Sequence, residues 1–192
     1  MMKDLINEEI KKSIKVKQDT LSDLTIISKL EILAKDCLNS IQNGGKVIFC
    51  GNGGSFADSQ HLAAEFISRL RFDRAPISSI ALGTNSSNLS AIGNDYGYDE
   101  VFRREIIALG NENDVFIPIS TSGNSPNIIK SILAAKEKKI KICGFSGGNG
   151  GKMNGLCDLI LVPSDSTEKI QEVHIMMGHI ICFLVEKKFF NK

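Results

Sequence analysis

KVIFCGNGGSFADSQHLAAEFISRL, residues 46–70, reads as a buried strand, a glycine-rich turn and a helix. Val47–Cys50 is a short apolar run rich in strand formers. Gly51, Gly53 and Gly54 permit a sharp turn and a close approach of backbone to ligand. Ser55 is suited to cap the helix that follows. Free N–H groups and the helix dipole both attract anions at such a terminus. His61 and Glu65 are four apart and project from one helical face. A ligand anchored at the turn can therefore present its other end to an imidazole and a carboxylate. A glycine-rich strand–helix turn is also often no more than a tight connection.

Outward from this stretch, four further short apolar runs end in Gly, Ser, Thr or Asn: Ile77–Leu82, Val115–Ile119, Ile140–Phe145 and Leu159–Val162. Helical patterns lie between them at 86–92, 99–109, 126–138 and 167–189. This alternation predicts an α/β fold with a five-stranded parallel sheet covered on both faces, with ligands at the carboxyl ends of the strands. Two amphipathic helices precede the first strand, at 3–18 and 22–42, the second stopping at Gly44–Gly45. They either cover the sheet, or pack against a second subunit, or do both. No repeat or linker divides the 192 residues, so one domain is expected.

Composition narrows the function classes. The chain is 42% apolar and 23% charged, with a formal net charge of +1. That balance fits a soluble globular protein and gives no general pull toward nucleic acid or membrane. Met1–Lys17 has no apolar h-region, and no run approaches the ~20 residues of a spanning helix. Five scattered cysteines, never in a CxxC pair, fit buried thiols in a reducing cytoplasm.

The loop after the third strand, Ser120-Thr-Ser-Gly-Asn-Ser125, supplies four hydroxyls and a glycine before Pro126 at a helix start. Hydroxyls and free N–H groups there suit a phosphate monoester. Without Lys or Arg it is not a Walker loop. A serine-rich turn with an N-cap would read the same, but the density of hydroxyls favours phosphate. Thr84–Asn88 is a weaker polar loop, and Gly144–Gly151 a glycine-rich one. Gly93–Tyr98 holds both tyrosines, either as a structural turn capped by Asp95 or as a site for sugar hydroxyls.

On the last helix, at about 100° per residue, Gln171 and His179 lie about 80° apart, whereas His174 falls about 140° from His179. A different, structural role is expected for His174. His61, Glu65, Gln171 and His179 form a candidate set of nitrogen and oxygen ligands for Zn²⁺, or an acid–base pair without metal. The same spacing also occurs in ordinary core or surface pairs. All three histidines of the chain lie on these two helices.

GNGGSFADSQHLAAEF, AIGNDYGYDEVFRREI, STSGNSPNIIKSILAAK and TEKIQEVHIMMGH together resemble the sugar isomerase (SIS) domain family, over nearly the whole chain. The HLAAE and QEVHIMMGH motifs resemble its members that isomerise sedoheptulose 7-phosphate. The resemblance implies a flavodoxin-like α/β/α sandwich and a homotetramer with active sites shared between subunits. It implies phosphate on Ser120, Thr121, Ser122 and Ser125, and sugar contacts from Asn52, Gly53, Gly54, Ser55, Asn94 and Asp95, with Glu65 and Gln171 also at the substrate. Glu65 and His179 match the family's acid–base pair, and His61, Glu65, Gln171 and His179 its zinc ligands. No nucleotide cofactor, nucleic acid or membrane partner is implied. The reaction implied is aldose–ketose isomerisation to D-glycero-D-manno-heptose 7-phosphate, the first step toward nucleotide-activated heptose for surface glycans. Two alternatives stand beside it: an isomerase of another phosphosugar, and a non-catalytic SIS-domain regulator of a protein such as a replication initiator.

Overall fold

The structure is a computed structural model describing residues 1–192. Two helices, α1 (Met2–Ser22) and α2 (Leu24–Gln42), lead into β1 (Val47–Cys50) and α3 (Gly54–Ile67). β2 (Ser79–Ala81), α4 (Ser86–Tyr96), α5 (Val101–Leu109) and β3 (Val115–Pro118) follow. The chain ends with α6 (Pro126–Glu137), β4 (Lys141–Gly147), β5 (Asp158–Val162) and α7 (Thr167–Phe189). The five strands pair in parallel in the order β2-β1-β3-β4-β5. This is the doubly wound, flavodoxin-like order, which reverses direction between β1 and β3.

Alternation along the strands divides the core in two. Val47, Phe49, Val115, Ile117, Phe145, Ile160 and Val162 face α2, α3 and α7. Ile48, Cys50, Phe116, Ile142 and Leu159 face α5 and α6. Each fully buried Leu, Ile or Phe contributes about 1.5–3 kcal/mol of transfer free energy, so both faces must be covered for the sheet to hold.

The two leading helices part company. α2 buries Ile26, Leu30, Leu33, Ala34 and Cys37 against the sheet. α1 lies outside, tied to α7 by Lys17–Glu172 at 3.2 Å and Lys169–Glu9 at 3.5 Å, and exposes Leu5, Ile6, Ile10 and Ile14. α4 has no buried residue. All five cysteines are free, and four are buried. No helix is long and apolar enough to cross a membrane.

Three local expectations are corrected. Ser55 does not cap α3: the cap is Gly53 at φ 56°, a left-handed position suited to glycine, and Ser55 is buried inside the first turn. Gly93–Tyr96 is not a turn capped by Asp95 but the end of α4. That helix is started by the Asn85 side chain, which accepts from Ser87 and Asn88 N–H, and runs on to Gly97 at φ 90°. Gly144–Gly147 belongs to β4 rather than to a loop, because close packing against Met153, Leu159 and Ile170 leaves no space for a Cβ at Gly144 or Gly147.

Candidate active site

β1 and β3 are neighbours whose following helices lie on opposite faces of the sheet, α3 with one core and α6 with the other. The crevice at their carboxyl ends is the switch point where such sheets bind ligands. It is bounded by the Gly51–Ser55 and Ser120–Ser125 turns.

In the first turn, a Cβ at Gly54 would stand 3.1 Å from Gln171 Cδ, so glycine lets α7 close over the start of α3. Asn52 is committed within the protein: it exchanges two 2.9 Å amide hydrogen bonds with Asn127 and accepts one of 3.0 Å from the Tyr98 hydroxyl. Asn127, 2% exposed, went unnoticed in the sequence because nothing local distinguishes it from a polar residue in a helix's first turn.

In the second turn, Ser120 Oγ and Ser125 Oγ lie 3.3 Å apart, and Asn124 N–H donates to Ser122 Oγ at 3.2 Å. Gly123 sits at φ 65° with the Gly150 carbonyl against it, leaving no room for a side chain. The end of β4 and the segment after it fasten the turn: Gly147 N–H donates to Thr121 O, Met153 N–H to Gly123 O and Lys152 N–H to Asn124 Oδ1, all at 3.0–3.1 Å. Ser125 caps α6 without using its side chain, so that hydroxyl remains available beside the open N–H groups of the first turn. A polar cavity of about 410 Å³ adjoins Thr121 and Ser122 and reaches Asn149, Asp165 and Thr167.

The third component lies where α3 meets α7. His61 Nε2 stands 2.9 Å from His179 Nε2 and 3.3 Å from Glu65 Oε1. One donor atom from each of these residues lies within 4.8 Å of the others. Glu65 and His179 therefore converge within one chain. Ligands about 2.0–2.1 Å from a tetrahedral zinc stand about 3.3 Å from one another, so the spacing and the N/N/O chemistry both fit such an ion. The His61 side chain is 51% exposed and that of Glu65 18%, leaving the cluster open on one side.

Gln171 joins the cluster through a residue the sequence reading missed. Its amide donates to both carboxylate oxygens of Asp58, at 2.8 and 2.9 Å. Asp58 precedes His61 by one helical turn and lies close to both imidazoles. Burial raises its carboxyl above the usual range, against the opposing pull of the Gln171 amide and of His61 and His179. The 58/61/65 spacing was the available signal. An aspartate in a helix's first turns, however, also reads as an ordinary partner of the dipole.

Asn94 and Asp95 are not brought to these groups. They sit on the exposed end of α4 and hydrogen-bond each other. His174 is buried with its Nε2 3.1 Å from the Ser146 carbonyl, away from His179. The largest concavity, about 690 Å³, lies at the opposite end of the sheet around Lys46 and Asp114. Asp114 is already paired there with Lys46 and the backbone of Asn111.

The model of the SIS domain matches residues 12–147. The phosphoheptose isomerase of Aneurinibacillus thermoaerophilus is 52% identical over 99% of this chain and 96% of its own length. That of Sulfurimonas denitrificans is 50% identical over 99% and 98%. Among solved structures, the phosphoheptose isomerase of Neisseria gonorrhoeae superposes with a TM-score of 0.90 at 37% identity, covering 97% of this chain and all of that one. The one from Francisella tularensis gives 0.92 at 32%, covering 97% and 99%. With half of all positions shared end to end and the backbone retained throughout, the chain belongs to the phosphoheptose isomerase family of SIS-domain proteins.

Proposed function

We propose that the protein interconverts sedoheptulose 7-phosphate and D-glycero-D-manno-heptose 7-phosphate through an enediol. The observation that carries this reading is the convergence of Glu65 and His179 from two helices of one chain, the first of which starts at the glycine turn after β1. The name shared by full-length relatives supports a heptose phosphate as the substrate.

In the ketose-to-aldose direction, a proton leaves C1, the C2 carbonyl oxygen gains a proton, O1 loses one, and C2 is protonated. Glu65 and His179 divide these tasks: one takes and returns the carbon-bound proton, the other carries protons at the oxygens. Asp58 holds Gln171 against the start of α3 and lends negative charge to the imidazoles. Ser120, Thr121, Ser122, Ser125 and the first N–H groups of α6 grip the phosphate. Gly53, Gly54 and Ser55 line the path between the two ends, with Asn52 braced by Asn127 as its wall. Anchoring the remote phosphate orients C1 and C2 and supplies binding energy that the reacting carbons lack.

His61, Glu65, Gln171 and His179 would hold Zn²⁺, which when bound polarises the sugar oxygens as a Lewis acid. A homotetramer is supported by the apolar face of α1, by the absence of buried residues on α4, and by an apolar concavity of about 450 Å³ around Ile175, His179 and Phe183. A second copy there would close the open side of the cluster.

The test is incubation with sedoheptulose 7-phosphate in D₂O, followed by NMR. Aldose carrying deuterium at C2 is expected. No aldose would remove the isomerase reading and leave a regulator or another phosphosugar, and aldose that stays free of deuterium would mean that the C1 hydrogen reaches C2 without exchange with solvent.

A further inference from the structure

α3 and α7 run side by side on one face of the sheet, and a series of contacts fixes their register. Gln171 meets Asp58 near the start, Gly178 faces Leu62, and the Cys182 thiol donates to the Leu62 carbonyl at 3.8 Å. Beyond the end of α3, Arg74 meets Glu186. At helical spacing Gln171, Gly178, Cys182 and Glu186 form one stripe of α7.

Gly178 stands at the close approach. A Cβ there would lie 2.5 Å from Leu62 Cδ2 and 3.0 Å from its Cγ. Leu62 is fully buried, so its side chain cannot turn aside without displacing a close-packed core. Glycine in a helix interior weakens the helix relative to alanine, so helix formation gives no reason for it here. The neighbours of this contact are His61 and His179, whose Nε2 atoms are 2.9 Å apart. Spreading the helices by the width of a methyl group separates these two first.

The Arg74–Glu186 pair fixes the other end. The side chains are 2% and 1% exposed. Glu186 Oε1 accepts from Arg74 Nε at 3.0 Å and Leu70 N–H at 2.9 Å, and Oε2 from Arg71 N–H at 3.0 Å. The Arg74 guanidinium also donates to the Glu65 carbonyl at 2.7 Å and the Phe66 carbonyl at 2.6 Å. These carbonyls lie in the last turn of α3, where helical partners run out and a cation is favoured. The backbone of Glu65 is thereby tied to α7. A buried ion pair is weak evidence for stability on its own, which leaves the location of this one to be explained.

We propose that Gly178 and the Arg74–Glu186 pair are positioning residues, holding α3 and α7 at the separation and rotation that keep His61, Glu65 and His179 on one reacting centre. This rests on the reading of those three residues given above.

The test compares kcat, and the dissociation constant for Zn²⁺ measured by competition with a chromophoric chelator, at a temperature where every variant is folded. Ile106→Ala is the control, since it opens the other core and leaves the α3–α7 contact alone. Gly178→Ala should lower kcat by about a hundredfold, the effect of a displacement near 1 Å, and weaken Zn²⁺ binding by about tenfold. Adding Leu62→Val removes the δ-carbons that the new methyl meets and should recover most of both losses, a coupling expected only of residues in contact. Arg74→Lys keeps the charge but not the fork that reaches Glu186 and two carbonyls together, and should lose about tenfold in kcat. Gly178→Ala no worse than Ile106→Ala in both quantities, or no recovery with Leu62→Val, overturns the proposal. If Gly178→Ala does not fold, parity of Arg74→Lys with the wild type overturns it instead. A wild-type protein that never isomerises the heptose phosphate refutes the isomerase reading; one that does, with Gly178→Ala its equal, refutes the positioning role alone.

Discussion

At the α3–α7 contact the groups with chemistry are side chains held against one another, whereas at the Ser120–Ser125 turn they are hydroxyls and backbone amides held by the path of the chain. The first region gathers His61, Glu65, His179 and Asp58, four titratable groups, on two helices. The second carries no charged side chain and depends on Gly123 at φ 65° and on the 147–153 segment laced to it. A titrating cluster can move protons but is sensitive to helix packing. A turn of dipoles can hold a dianion without titrating near neutrality. The difference suggests that one end reacts and the other grips.

Mutations should separate the two. Glu65→Gln is the largest expected effect: a fall of about 10²–10⁴-fold in kcat, the range for a positioned acid or base, with unchanged thermal unfolding. Near-normal turnover would take Glu65 out of the chemistry and collapse the contrast. Ser122→Ala with Ser125→Ala comes next. Hydrogen bonds to charged groups contribute about 1.5–3 kcal/mol each, so losing both should raise KM by at least about 100-fold, by more than kcat falls. An unmoved KM would mean the phosphate binds elsewhere. Asp58→Asn, which supports the cluster from behind, should cost about tenfold in kcat/KM, the lower end for groups that orient a ligand set. Its pH profile should also change, because a carboxyl raised by burial no longer titrates beside the imidazoles. A wild-type profile in that variant would confine Asp58 to holding Gln171.

The sequence revealed the two regions unequally. β1 was legible to the residue because Val47–Cys50 is buried on both faces and reads as unbroken apolar sequence. β2 is only Ser79–Ala81, an edge strand paired with β1 over three residues, although Ile77 and Leu82 on either side of it are buried too. His61 and Glu65 were readable as an i, i+4 pair on a helix. That His179, 118 residues later, would lie within hydrogen-bonding distance of His61 depends on strand order and helix packing, which no local pattern encodes. The same holds for Asp58, whose burial is made by α7. Ser55 fits the preference for a capping side chain, but the backbone φ at Gly53 decides the helix start. The hydroxyl turn was legible because its chemistry is local: four hydroxyls, a glycine and Pro126 lie within seven residues.

The smallest effect on turnover is expected at the third histidine, and it sharpens the comparison by showing what an imidazole does outside both regions. His174 has no accessible surface, its Nδ1 has no hydrogen-bond partner, and its Nε2 meets only the Ser146 carbonyl. Burial lowers its pKa to about 4, with the Ser146 carbonyl opposing weakly. The unfolded chain, titrating at about 6.5, therefore binds the proton more tightly than the folded one between these limits. Stability is complete above about pH 6.5 and declines as pH falls toward 4, by up to about 1.4 kcal/mol per unit from this group. His174→Leu removes the titrating group and one modest hydrogen bond. Urea unfolding from pH 7 to 5 should then show a shallower decline for the variant than for the wild type, with kcat at pH 7 close to unchanged. Equal slopes would mean that His174 is hydrated or partnered in the folded protein. A large loss of kcat would draw His174 into the reacting cluster and erase the distinction between an imidazole that packs and two that work.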